Sequence, residues 1–190
     1  MSMIEELNHF LRLQIRRQES GIFLSQSKYA KNFVKKFSLE FASSVRTPMS
    51  PNVKLTVDLL GKNVDSSLYR SMIGSLLYLI ASRLDISHSV GMCARYQANP
   101  KESHMIALKR IIKCVKTIVD FGVWYSKDTN DVLAGYSNAD WAENADDRKS
   151  TSGGCFYMGN NLVSWMSKKQ NLISLSTAEA EYITAGSYCT

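Results

Sequence analysis

Carboxylates are concentrated in the stretch "GYSNADWAENADDRKSTSG", which covers residues 135–153. Four acidic side chains fall within eight residues here: Asp140, Glu143, Asp146 and Asp147. Carboxylates that converge from different elements can hold the two divalent ions of metal-dependent phosphodiester hydrolysis. However, the triplet "NAD" opens with Asn138, a neutral amide, and acidic residues in loops are usually solvated or capping. The stretch alone leaves three interpretations open: a working carboxylate site, a damaged one and a polar loop.

The elements that would position such a site are a strand and the last helix. A strand over 132–140 places Asn138 and Asp140 on one face, because side chains alternate along a strand. The helix in "STAEAEYITAGSYC" offers Glu179 and Glu181, which point in nearly opposite directions because they are two residues apart.

The two glutamates of that helix therefore have different predicted roles. Ser176 and Glu179 form a capping box at its start. Glu181 borders a predicted apolar stripe formed by Ala178, Tyr182, Ala185 and Cys189. This places Glu181 at the edge where the helix meets the sheet, the position of a site carboxylate.

The first part of the chain is predicted to be mainly helical after an opening hairpin. "FLRLQIRR" and "GIFLSQ" alternate like strands around a turn at residues 19–21. "SKYAKNFVKKFSL" places Tyr29, Phe33, Val34 and Phe37 on one helical face and Lys28, Lys31 and Lys35 on the other. "SLYRSMIGSLLYLIAS" predicts a second helix with a buried stripe of Tyr69, Ile73, Leu76, Leu77 and Ile80. A third helix is predicted over 86–97.

A fourth helix opens at "NPKE", where Asn99 is the predicted cap, Pro100 suits the first turn and Glu102 is the capping-box acid. Its predicted apolar face is Leu108, Ile111, Ile112, Val115 and Val119. Its opposite face carries the candidate nucleic-acid-binding residues Lys109, Arg110, Lys113 and Lys116. A solvated charged face is the equally ordinary alternative for such a cluster.

Composition limits the class of protein and the chemistry of its other residues. The 190 residues are 45% hydrophobic, carry a net charge of +6 and have a sequence pI near 9.1, so a core can be buried and an acidic partner is plausible. Four widely spaced cysteines form no C-x-x-C pair, which predicts free thiols in a reducing compartment: Cys93, Cys114, Cys155 and Cys189. Three histidines show no metal-ligand spacing: His9, His88 and His104. No signal peptide and no membrane-spanning run is apparent, so we expect an intracellular protein, cytoplasmic or nuclear, that contacts no membrane.

Several blocks in one order resemble the Pol polyprotein of copia-type retrotransposons. They are "MSMIEELNHFLRLQI", "YRSMIGSLLYLIASRLDIS", "LKRIIKCVKTIVDFG", "GYSNADWAENADDRKSTSGGCF", "VSWMSKKQ" and "LSTAEAEYI". Together they cover nearly the whole chain, which makes the resemblance far more specific than any single motif.

The resemblance implies an α+β fold in two regions. Residues 1–128 would be the C-terminal, thumb- and connection-like region of a reverse transcriptase, with an N-terminal β-hairpin. Residues 129–190 would be the first half of a ribonuclease H-like domain, namely three strands and a helix. The family's polymerase motif and the later acidic ligands would lie outside the chain, so we expect a truncated and decayed copy.

The resemblance also implies the roles of site residues. The family's first catalytic Asp falls on Asn138, its catalytic Glu falls on Glu181 with Glu179 as the second choice, and Asp140 matches an auxiliary acidic position. Glu181 and Asp140 would thus be vestigial ligands of Mg²⁺, which we expect not to be bound productively. Other departures from the family pattern are Arg12, Thr117 and Glu143, each in place of Gly, and Leu84 in place of Pro.

The implied function is a fragment of a reverse transcriptase and ribonuclease H polyprotein that acts on RNA–DNA hybrids during reverse transcription. Its partners would be such a hybrid or another nucleic acid, and the remainder of the Pol polyprotein. The change at Asn138 predicts that this chain is catalytically inactive, although the family is enzymatic. The alternatives are a non-catalytic nucleic-acid-binding relic, or a host protein that reuses the fold as an interaction module.

Overall fold

The computed structural model describes residues 8–50 and 54–188. These residues form an α+β fold with two antiparallel sheets and five α-helices. Pro51, Cys189 in the predicted stripe of the last helix, and the start of the first family-like block lie outside the described residues.

The first sheet confirms the predicted hairpin and adds a strand from each side of it. Its order is β1-β2-β3-β4, with strands His9–Phe10, Leu13–Gln18, Gly21–Ser25 and Gly122–Ser126. Strands β2 and β3 are joined by a two-residue loop, since Gln18 pairs with Gly21. Strand β4 pairs with β3 and so closes the first sheet.

Four helices build the core: α1 (Ser27–Lys36), α2 (Ser66–Leu79), α3 (Ser87–Ala94) and α4 (Glu102–Thr117). The amphipathic pattern of α1 is confirmed, because Phe33 and Val34 are buried while Lys28, Lys31 and Lys35 are exposed. All four helices contribute to one continuous cluster of buried apolar side chains.

The buried stripe of α2 differs from the prediction at its C-terminal end. Tyr69, Ile73 and Leu76 are buried as predicted, but Leu77 is 51% exposed and Leu79 is buried. Leu79 lies three residues after Leu76 and so shares its side of the helix, whereas Leu77 is rotated by about 100°.

The predicted cap of α4 was wrong. The helix begins at Glu102, and the ring Nδ1 of His104 accepts a hydrogen bond from the Lys101 N–H at 3.0 Å. The preceding residues pair with another segment instead, since Lys101 forms an antiparallel bridge with Asn63. That pairing holds residues 99–101 outside the helix, so the helix starts later than predicted.

The other ring nitrogen of His104, Nε2, donates to the Thr56 carbonyl at 2.6 Å, so this histidine is a buried structural residue.

The second sheet has the order β5-β6-β7, with strands Leu133–Ala139, Thr151–Met158 and Asn161–Lys169, and is followed by α5 (Thr177–Tyr188).

The predicted stripe of α5 was wrong, because Tyr182 is 81% exposed and Ala178 and Ala185 are also exposed. The helix instead packs through Ala180 and Thr184. The Thr184 hydroxyl reaches polar groups beneath the helix, and a hydrophobicity pattern does not detect such a contact.

Side-chain hydrogen bonds join the second sheet to the helices and to the first sheet. The Trp165 indole donates to the Ile80 carbonyl at 3.2 Å. The Asn161 amide bonds both the N–H and the carbonyl of Ser126, at 2.7 and 3.0 Å. The two sheets are therefore fixed against one another by directional contacts.

The turn between β1 and β2 gives a prediction on stability. Leu11 and Arg12 both have positive φ, 45° and 61°, so this two-residue loop has the backbone that favours Asn-Gly. Leu11 is 67% exposed and contributes little packing, while Arg12 stacks on Tyr29 with 5.2 Å between its Cζ and the ring centroid. Leu11→Asn should raise the free energy of unfolding by about 0.5–1 kcal/mol, measured by urea denaturation, because Asn tolerates the left-handed region.

The control is Leu60→Asn, at a fully exposed leucine outside the left-handed region. It should change stability by less than about 0.5 kcal/mol. Equal effects of the two substitutions would show that backbone strain in the turn is not the cause.

Candidate functional site

Asn138 lies on β5, directly opposite Gly153 of β6. Side chains of directly opposed residues lie on the same face of an antiparallel pair. The Asn138 face is therefore also the face of Cys155 and its partner Trp165, which bonds Ile80 of the helical part. Asn138 lines a cleft together with Ser87 and His88 of α3, so it points toward α3 and not toward α5.

Helix α5 covers the other face of this sheet. The hydroxyls of Ser152 and Thr184 are 2.7 Å apart, and a Cβ on Gly154 would lie 2.2 Å from the Tyr188 ring. Gly154 therefore leaves room for the Tyr188 ring on this face of the sheet. The sheet thus separates the face that carries Asn138 from the helix that carries Glu181.

Asp140 shares the face of Asn138, as predicted, and is already engaged with β6. Its Oδ1 accepts from the Thr151 N–H at 2.8 Å. Its Oδ2 is buried and has no hydrogen-bond partner among the described residues. Arg95 of the helical part donates from Nη2 to the Thr151 hydroxyl at 2.8 Å, and its Nη1 is likewise buried without a described partner. Thr151 therefore connects Asp140 to the helical part.

Glu181 lies at the free edge of the sheet. Its Oε1 accepts from the Ala139 N–H at 3.0 Å. Glu179 has the predicted capping position, because its N–H donates to the Ser176 hydroxyl at 3.2 Å and its Oε2 accepts from the Leu175 N–H at 2.7 Å. The two glutamates thus point to different surroundings, and Glu181 is the one that meets the strand of Asn138.

Two of the remaining acids in the 140–147 stretch have structural contacts. Asp146 accepts from the Val57 N–H at 3.0 Å and from the Tyr96 hydroxyl at 2.9 Å, which fastens the loop to the helical part. Asp147 pairs with Lys169 and accepts from the Lys149 N–H. These contacts support the loop interpretation for this half of the stretch.

The titration of Asp147 follows from the same contacts. Burial acts to raise the pKa of this carboxyl, but the hydrogen bonds from Lys169 and Lys149 and their positive charges outweigh burial and lower it. A folded-state pKa below the usual Asp value means that ionised Asp147 stabilises the fold above that usual value. This contribution is lost as the pH falls through the lowered pKa.

The carboxylates do not fit a metal site in this arrangement. Within residues 8–50 and 54–188, no group of three or more His, Cys, Asp and Glu side chains is placed to hold a metal ion. The cleft beside Asn138 has a volume of about 400 Å³ and is lined by Asp140 on one side and His88 on the other. That is the size of a small-ligand site.

Cys93 offers no alternative nucleophile. Cys93, Cys114 and Cys155 are free thiols, as predicted. Burial raises the pKa of Cys93 to about 12, with partial opposition from a hydrogen bond to Tyr69. A thiol that stays protonated is a poor nucleophile.

Two of the four cations on the predicted basic face of α4 form hydrogen bonds within the protein. Arg110 donates to the carbonyl and hydroxyl of Thr47 at 3.2 and 2.9 Å. Lys116 donates to the Ala42 carbonyl at 2.7 Å. Lys109 and Lys113 have no side-chain bond to the described residues. Half of the predicted interface therefore holds the loop between α1 and α2 against α4.

The structure contains a second basic surface, which the sequence did not predict. A cleft of about 580 Å³, here called the hairpin cleft, is lined by His9, Arg12, Lys28, Tyr29, Asn32, Phe33, Lys36 and Ser75. Its lining contains three permanent cations and no carboxylate. The lysine face of α1 was recognisable from its spacing, but Arg12 joins it only because the β1–β2 turn folds over Tyr29.

None of the helices in the described ranges combines the length and the apolar character that crossing a membrane requires.

Curated relatives match almost the whole chain. The Retrovirus-related Pol polyprotein from transposon RE1 of Arabidopsis thaliana is 38% identical over 178 residues, which is 94% of this chain and 12% of that protein. The Retrovirus-related Pol polyprotein from transposon TNT 1-94 of Nicotiana tabacum is 34% identical over 176 residues, 89% of this chain and 13% of that protein. The chain thus spans about an eighth of the length of these polyproteins.

A shorter relative is covered over most of its own length. An uncharacterized mitochondrial protein of Arabidopsis thaliana is 32% identical over 182 residues, 96% of this chain and 75% of that protein. No model of a protein family matches the chain, and no solved structure matches it. The agreement in identity and extent with relatives from two plants shows that the chain belongs to the family of Pol polyproteins of copia-type retrotransposons.

Proposed function

We propose that this chain is a segment of the reverse transcriptase and ribonuclease H region of a retrotransposon Pol polyprotein, and that it binds nucleic acid without cleaving it. Residues 1–128 would be the thumb- and connection-like part, and residues 129–190 the first half of the ribonuclease H-like domain. The three antiparallel strands followed by α5 agree with the second assignment. The remainder of the Pol polyprotein would be its partner.

The observation that carries nucleic-acid binding is the composition of the hairpin cleft. Arg12, Lys28 and Lys36 line it without a carboxylate among the lining residues. Phosphate contacts by Lys and Arg supply most of the sequence-independent affinity for nucleic acid. Arg12 is preorganised for this role because its guanidinium lies over the rings of Tyr29 and Tyr78.

The absence of cleavage is proposed from the chemistry of position 138. An amide at the expected carboxylate supplies no negative charge for the divalent ion that the family would use there. Asp140 does not replace it, because one of its oxygens accepts from Thr151 and the other is buried. Glu181 is bonded to Ala139 at the strand edge, across the sheet from the Asn138 face.

A salt titration of binding tests the proposed function and its location. The protein should bind an RNA–DNA hybrid, and the logarithm of its affinity should fall with the logarithm of salt concentration with a slope of about −2 to −3, since three phosphate contacts give about −0.9 each. Arg12→Gln/Lys28→Gln/Lys36→Gln should bring this slope close to zero in fluorescence anisotropy. No RNA fragment should appear in the same samples.

The matched control removes three charges from α4: Lys109→Gln/Lys113→Gln/Lys116→Gln. It should retain most of the slope, because Lys116 is engaged with Ala42 and does not face solvent freely. Loss of the slope in the control alone would move the interface to α4. Absence of binding by the unmodified protein would refute the proposed function itself.

One observation favours a second candidate function. The uncharacterized mitochondrial relative is covered over 75% of its length, so a segment of this size forms most of another protein. A host protein that reuses the fold as an interaction module would fit that relationship. This second candidate function predicts that the chain binds a host protein, and that the triple substitution in the hairpin cleft does not weaken this binding.

A further inference from the structure

The loop between α1 and α2 is fastened to α4 by a row of hydrogen bonds. The Thr117 hydroxyl bonds both the N–H and the carbonyl of Val45, at 3.3 and 3.2 Å. Lys116 donates to the Ala42 carbonyl at 2.7 Å. Arg110 supplies a guanidinium to this row, and it holds both the carbonyl and the hydroxyl of Thr47.

Thr47 is an exposed residue whose hydroxyl already lies 2.9 Å from Arg110 Nη2. Arg46 precedes it in the chain, Lys54 lines the same depression, and Lys113 follows Arg110 by one helical turn. One acid, Glu143, also lines this depression. Arg110 thus supplies a cation at the hydroxyl itself, which is the setting that stabilises an added phosphate.

Pro48 follows Thr47 directly. A proline disfavours the helical conformation in the residue before it and so favours an extended backbone there. The pair Thr-Pro in an exposed loop is the substrate pattern of proline-directed serine/threonine protein kinases. The pair Ser50–Pro51 is nearby, but Ser50 is half-buried.

We propose that Thr47 is a phosphorylation site for a proline-directed protein kinase, and that Arg110 is the residue that binds the resulting phosphate. In the transfer, the Thr47 Oγ1 forms a bond to the γ-phosphorus of ATP. The bond between that phosphorus and the β,γ-bridging oxygen breaks, ADP leaves, and the hydroxyl proton passes to the catalytic base of the kinase. The proposal is independent of nucleic-acid binding.

The structural consequence is a stronger attachment of the loop to α4. The hydrogen bond from Arg110 to a neutral hydroxyl becomes a charge-assisted contact with a group that carries about −1.5 to −2 charges at neutral pH. The bond already present means that Arg110 needs little rearrangement to reach the phosphate. The phosphorylated chain should therefore be more stable than the unmodified one.

The test treats the full chain with a proline-directed kinase and ATP and maps the product by tandem mass spectrometry. We expect phosphate on Thr47, its loss in Thr47→Val, and its retention in Ser50→Ala. In urea denaturation, phosphorylation should lower the equilibrium constant for unfolding on the order of tenfold. Arg110→Gln should remove that gain, and Arg110→Lys should retain part of it because the positive charge remains.

A synthetic peptide covering residues 40–54 separates the two ways in which the site could fail. A peptide that is phosphorylated on Thr47 while the folded chain is not would overturn the proposal, because the loop would then be withheld from the kinase. Failure of both would overturn it because the kinase does not recognise the sequence. A stability gain that persists in Arg110→Gln would refute Arg110 as the phosphate-binding residue.

Discussion

Replacing Arg83 by methionine should lower the free energy of unfolding by about 2–4 kcal/mol, because it breaks a buried ion pair. The expected loss lies below the largest values for such pairs because Asp85 remains partly hydrated. Arg83 is 1% exposed. Its Nε and Nη2 donate to the two oxygens of Asp85 at 2.8 and 2.7 Å, and its Nη1 donates to the Ile118 carbonyl at 2.8 Å. Methionine preserves the volume but leaves the carboxylate and the carbonyl at the end of α4 without their donor.

Urea denaturation of three variants would measure this effect. The matched control is Arg16→Met, at an exposed arginine on β2, which should change stability by less than about 0.5 kcal/mol. Adding Asp85→Asn to Arg83→Met should cost less than the sum of the two single changes, because the residues form one pair. A loss below about 1 kcal/mol for Arg83→Met would show that water replaces the guanidinium and that the pair contributes little.

Restoring a carboxylate at position 138 should produce cleavage only in a longer protein. The chain would be extended with the segment that follows its counterpart in the RE1 polyprotein and compared with and without Asn138→Asp. RNA cleavage in an RNA–DNA hybrid, assayed with magnesium on a denaturing gel, should be at least about 100-fold faster with the substitution, since a charge on a catalytic ligand is worth several kcal/mol. In the unextended chain, Asn138→Asp should give no cleavage.

The control for this experiment is Glu181→Gln in the restored, extended protein. Loss of the activity would show that Glu181, which is bonded to Ala139 at the strand edge in the unextended chain, joins the site of position 138 in the extended protein. Glu179→Gln should leave the activity unchanged, because Glu179 is used in the cap of α5. Asp140→Asn should have an intermediate effect through its contact with Thr151. Equal cleavage by the extended proteins with and without Asn138→Asp would show that the catalytic position on this strand has been misassigned.

Local features of the sequence determined several elements correctly. The turn between β2 and β3, the amphipathic face of α1 and the cap of α5 by Ser176 all follow from residues within a few positions of one another. The alternation that places Asn138 and Asp140 on one face is equally local. These features were predictable because the interactions that create them act over one turn or one strand pair.

One error arose where a distant segment competed for the same groups. The start of α4 moved from Asn99 to Glu102 because Lys101 pairs with Asn63. Nucleic-acid binding by the basic face of α4 stays a prediction, and two of its cations, Arg110 and Lys116, bond backbone carbonyls of a loop more than 60 residues away in sequence. Charge spacing along a helix shows which side chains share a face, but it does not show which of them another segment will bind.

The sequence by itself thus determined the family-like blocks, the amide at position 138 and most of the local elements. Only the tertiary structure decided that Asn138 faces α3 while α5 covers the opposite face, where Thr184 bonds Ser152. It also decided that Arg83 is buried and that Arg12 completes the hairpin cleft. The physical reason is that each of these arrangements depends on which elements pack against one another and exclude water. The spacing of residues within one element does not show which other element will pack against it.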